Sequence, residues 1–111
     1  AASLVAAAGD PRIHAVVSRG GRPDLAGAAL RRVHAPTLLI VGGADTVVLE
    51  LNAKALVELG GVKEMIVVPH ATHLFEEPGT LEAVADHAAG WFGRYLQTAE
   101  APHLASSGRA T

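Results

Sequence analysis

Three short apolar runs separated by stretches of helical character predict an α/β fold, with a three-stranded parallel sheet flanked by helices. The runs are His14–Ser18, Pro36–Val41 and Met65–Val68, and each breaks at glycine or proline. Parallel neighbours cannot be joined by a tight hairpin, so intervening segments of helical length imply right-handed crossovers.

The elements follow in order. Ala1–Ala8 is rich in the best helix former and is stopped by Gly9-Asp10-Pro11. His14–Ser18 is short and β-branched and runs into the loop Arg19–Pro23, after which Asp24 opens a short helix to about Arg32. Pro36–Val41, ended by Gly42-Gly43, has the continuous apolar character of a strand covered on both faces. From Val47 to Leu59 the residues Val48, Leu51, Ala55, Leu56 and Leu59 form one helical stripe, with Glu50 and Lys54 spaced to pair outside and Gly60-Gly61 closing the helix. Met65–Val68 repeats the buried-strand pattern. A last helix, Thr80 to Leu96, carries Leu81, Val84, Ala88, Trp91, Phe92 and Tyr95 on one face.

With 111 residues, half of them hydrophobic, the chain suits one domain, placed at residues 1–97, while the small and polar make-up of 98–111 predicts a disordered tail. A net charge of −2 with scattered basic residues argues against a nucleic-acid partner. No run is long enough to span a membrane, and Ala1–Ala8 lacks the basic start of a signal peptide. The absence of cysteine excludes disulfides, thiolate metal sites and a Cys nucleophile, and suits the cytoplasm.

In a parallel sheet, ligands bind beyond the carboxyl ends of the strands. Asp45 and His73 emerge there from successive strands, where a carboxylate can fix the tautomer of an imidazole and stabilise its charged form. Taken singly, Asp45 also reads as an ordinary cap of the helix that follows. His70 reads as a solvated side chain. Thr46 and Thr72 flank the pair as local hydrogen-bonding groups. His70, His73, Glu76 and Glu77 make an incomplete metal set, so no metal is expected. Neither glycine pair forms Gly-x-Gly-x-x-Gly or a phosphate loop, so no cofactor is expected.

The segments Pro36–Asp45 and Val67–Pro78, together with Val16–Leu25, resemble the C-terminal half of an α/β-hydrolase, within that superfamily the dienelactone-hydrolase-like serine hydrolases. The resemblance covers nearly all of residues 1–96. It implies that the three strands are the last three of the hydrolase sheet, that Asp45 is the triad acid and that His73 is the triad base. The family's serine sits on a Gly-x-Ser-x-Gly elbow, which this sequence does not contain. The first helix resembles the one that follows the elbow, so the expected nucleophile lies upstream of residue 1. Ser3 falls inside that helix, and Ser18, at the end of a strand, is the outside candidate.

The expected function is therefore a truncated serine hydrolase, whose complete parent cleaves a small-molecule ester, thioester or lactone. A non-catalytic assembly module built on the half-fold is the alternative. A small hydrolase using Ser18, or bound water, with His73 is a third. The first strand would be left with a bare edge where the complete fold has further strands, which predicts a homo-oligomer through that edge.

Overall fold

The computed structural model describes residues 2–72, 75–95 and 103–106. The helix α1 (Ala2–Gly9) is followed by β1 (Val16–Arg19), a 3₁₀ helix (Pro23–Arg32), β2 (Thr37–Gly42), α2 (Thr46–Glu58), β3 (Lys63–Val68), α3 (Thr80–Tyr95) and β4 (His103–Ser106). The sheet order is β3-β2-β1-β4, with every neighbouring pair parallel. The three expected strands and their flanking helices thus form as the sequence predicts.

Both faces of the sheet are covered, which explains the unbroken apolar character of β2. Alternate residues point to opposite faces. Val16 and Leu39 pack with Leu4, Ala7, Leu30, Val33, Ala55 and Leu59 from α1, the 3₁₀ helix and the α2 side. Val17, Leu38 and Ile40 pack on the other face with Phe75, Val84, Ala88 and Trp91. The last turns of α3 are fastened to the start of β2 by the Trp91 indole N–H, which donates to the Pro36 carbonyl at 3.0 Å. This orients α3 opposite to the strands, with its first turn near their carboxyl ends.

Three expectations are corrected. β3 is an edge strand, with Lys63, Glu64 and Val67 exposed, because nothing pairs with its outer side among the described residues. Leu81 is also exposed, so the buried face of α3 is carried by Thr80, Val84, Ala88 and Trp91. The third correction concerns the tail. Four of its residues, His103–Ser106, form β4 and pair with β1 from Val16↔His103 to Arg19↔Ser106. The edge of β1 is therefore not bare. An open row of backbone donors and acceptors recruits a segment of low strand propensity because pairing, more than side-chain type, satisfies them. The rest of 98–111 lies outside the described residues.

Candidate functional site

β1, β2 and β3 end on the same rim, at Arg19, Gly42 and Val68, and the turns beyond them are bonded to one another. The Gly20 N–H donates to the Ile40 carbonyl at 2.9 Å, and the Gly43 N–H to the Val68 carbonyl at 2.8 Å. The turn after β2 is then joined to the loop after β3, where the Ala44 N–H donates to the Ala71 carbonyl at 2.9 Å. Gly42 makes this possible: a Cβ there would strike the carbonyl oxygens of Ala71 and Thr72. The segment carrying Asp45 and the segment leading to His73 are therefore in backbone contact.

Asp45 is half-buried and caps α2, its Oδ1 accepting from the Val48 N–H at 3.3 Å. The capping role read as an ordinary alternative is thus present in the fold. It does not exhaust the carboxylate, which offers about four acceptor positions on two oxygens. His73 itself lies outside the described residues.

The loop on either side of His73 is firmly built. Ala71 and Phe75 are buried, and the Phe75 N–H donates to the Thr72 carbonyl at 3.1 Å. His70 and Phe75 both hold positive φ, at 63° and 55°, conformations costing about 1 kcal/mol or more for residues other than glycine. Burial of Phe75 against Val84 and Trp91 offsets that cost. His70 is exposed, as expected of a solvated side chain.

Glu77 fastens the same loop. Its Oε1 accepts from the Thr72 N–H at 3.0 Å and its Oε2 from the Thr72 hydroxyl at 3.1 Å. The Thr72 N–H, then the N–H of Glu77 itself and the Thr72 hydroxyl, hold the Glu77 carboxyl below its ordinary range. By its sequence Glu77 offers only a potential metal ligand, whereas the structure uses it to hold backbone. Among the described residues no group of three potential metal-binding side chains occurs.

Ser18 lies within β1 and is 3% exposed. Its Oγ faces Gly21, where a Cβ would sit 2.8 Å away. Beyond it the loop is closed by Arg22, whose guanidinium forks onto Asp24 with bonds of 3.0 and 2.9 Å. Thr46 is exposed at the first position of α2, and Ser3 lies within α1.

Sequence reasoning missed Asn52. Val48, Asn52, Ala55 and Leu59 form a stripe at helical spacing, so the core position given to Leu51 is shared with an asparagine that is 1% exposed. That spacing was the available signal.

Two outcomes follow. Asp45→Ala should lower stability to urea by about 1 kcal/mol, whereas Asp45→Asn, which caps equally well, should change it by less than about 0.5 kcal/mol. Because the folded-state carboxyl of Glu77 is depressed, its tie to Thr72 persists at neutral and mildly acidic pH and is lost as pH falls below 4.5 through the lowered value. The Thr72 amide resonance should move in that acid window, and in Glu77→Ala it should not.

No family model matches the chain. A dienelactone hydrolase from Anabaena variabilis ATCC 29413, known from its crystal structure, is 58% identical with a TM-score of 0.83, the match covering 85% of this chain and 44% of that one. Two Mycobacterium tuberculosis proteins, from strains CDC 1551 / Oshkosh and ATCC 25618 / H37Rv, are each 67% identical over 97 residues and each bear the name "Putative phosphoribosyl transferase". The match covers 86% of this chain but 22% of each relative, so the chain spans less than a quarter of their length. In sequence and in fold the chain thus resembles part of a dienelactone hydrolase, consistent with the C-terminal half of an α/β-hydrolase fold.

Proposed function

We propose that this chain supplies the acid and the base of a serine-hydrolase site acting on a small-molecule ester, thioester or lactone. Asp45 is the acid, His73 the base, and the nucleophile is a serine outside residues 1–111. The observation that carries this reading is the backbone contact between the two rim segments, through the Ala44 N–H and the Ala71 carbonyl. It brings the stretch before His73 against the turn that presents Asp45. The likeness to a dienelactone hydrolase supports the same chemistry.

In that mechanism the Asp45 carboxylate accepts the imidazole Nδ1 proton and leaves Nε2 free to act as a base. Nε2 takes the serine proton as its oxygen attacks the carbonyl carbon, then returns that proton to the leaving group. Water hydrolyses the acyl-enzyme by the same route. The scheme uses no metal or cofactor. Ser18 is disfavoured as the nucleophile because it is buried within β1. The cysteine-free composition supports a cytoplasmic setting.

The transferase name belongs to proteins of which this chain covers 22%, and neither Gly20-Gly21 nor Gly42-Gly43 forms a phosphate loop, so that activity is not assigned to this segment. No described helix is long and apolar enough to cross a membrane.

A fluorophosphonate probe tests the assignment, since labelling requires an activated serine. The 111-residue chain should not be labelled. A longer product that includes the coding sequence ahead of residue 1 should be labelled at a serine in the added part, and His73→Ala should slow that labelling by about a thousandfold or more. Labelling at Ser18 would favour a small self-contained hydrolase, and a longer product that never labels would favour a non-catalytic assembly module.

Homo-oligomer formation through β1 is part of the same proposal, conditional on departure of β4. The full chain should elute as a monomer in size-exclusion chromatography. Deletion of residues 97–111 should shift it to a dimer or larger species, and a monomeric deletion variant would refute the edge-pairing route.

A further inference from the structure

A continuous hydrogen-bonded path runs from Asp45 to the loop after β1, and it passes through Asn52. The Val48 N–H donates to Asp45 Oδ1 at 3.3 Å. The Val48 carbonyl accepts from Asn52 Nδ2 at 2.8 Å, and the same Nδ2 donates to the Gly21 carbonyl at 3.2 Å. One carboxamide thus holds the second turn of α2, whose first turn Asp45 caps, and also a loop residue 31 positions earlier in sequence.

The arrangement is costly for a core position. Asn52 is 1% exposed, and its Oδ1 is buried without a hydrogen-bond partner among the described residues. An unsatisfied buried acceptor costs about 1–3 kcal/mol, and an aliphatic side chain would fill the stripe without it. Space-filling therefore does not account for an asparagine here. Its two donor bonds do.

We propose that Asn52 is a positioning residue which locks the Gly20–Arg22 turn to the Asp45-capped end of α2, so that these two parts of the rim move as one body. The inference deepens the hydrolase reading by naming what fixes the β1 loop relative to the candidate acid. It is tested without any turnover, so its failure and the failure of that reading are distinguishable.

The test is Asn52→Asp in the full chain, followed by amide resonances in a ¹H–¹⁵N NMR spectrum. As pH is raised toward about 8.5 the introduced group is driven to the carboxylate, which offers no proton to the Gly21 carbonyl. The amides of Gly20, Gly21 and Arg22 should shift together with those of Asp45 and Val48, and their hydrogen exchange should accelerate by about tenfold. Burial raises the pKa of a carboxyl, so acidification toward pH about 5 should protonate the introduced group, restore a donor and return those resonances toward their parental positions. Asn52→Leu should show the shift at both pH values without the return.

Shifts confined to α2 in Asn52→Asp, or Gly20–Arg22 amides unmoved in Asn52→Leu, would overturn the proposal. Should Asn52→Asp fail to fold, Gly21→Ala perturbs the path from its other end, because the added methyl meets the movable Ser18 Oγ. The Asn52 carboxamide, Val48 and Asp45 signals should then move together, and their failure to do so would contradict the coupling.

Discussion

The rim depends on one close approach, that of the Gly42–Ala44 turn to the Ala71–Thr72 backbone. In a parallel sheet the ends of adjacent strands are close, but loops beyond them diverge unless something joins them. Here the Ala44 N–H to Ala71 carbonyl bond does so, and a glycine at position 42 gives the two backbones room. Further ties at the rim reinforce this one. Glu77 holds Thr72 by two hydrogen bonds, Phe75 anchors the far side of the loop in the core, and Asn52 links the turn's helix to the loop after β1.

The role proposed for Asp45 is compatible with the one it plays in folding. As the cap of α2 it satisfies a backbone donor that the helix cannot satisfy internally. As a candidate triad acid it needs a fixed orientation, and the cap supplies one. The same economy is seen at Glu77, whose carboxylate is spent on Thr72 and so keeps the backbone before His73 in place. The positive-φ residues His70 and Phe75 bracket that stretch. Backbone strain of this kind is maintained where surrounding packing over-determines it, and Phe75, buried beneath the loop, provides the packing.

Much of the fold was legible because burial leaves a pattern. Leu38–Val41 is apolar at every position because α1 and α2 cover one face and α3 the other. Asp45 could be placed at the end of its strand from the glycine pair before it. What the pattern could not convey was neighbourhood. Met65–Val68 has the same composition as a central strand, yet β3 lies at the edge, since edge position is decided by which strand pairs with which. His103–Ser106 has no strand signature, and its pairing is set by the vacancy beside β1. Asn52 shares the spacing of the buried stripe, but a polar residue within a helix reads as solvent-facing until the sheet beneath it is known.

The central claim is that Asp45 orients the imidazole of His73. Long-range ¹H–¹⁵N spectra of the neutral His73 ring test it most directly, because they report which nitrogen carries the proton. If Asp45 orients the ring, the parent chain shows the Nδ1–H tautomer and Asp45→Ala shifts population toward Nε2–H. A parent ring already protonated on Nε2, or a tautomer balance indifferent to the substitution, would contradict it.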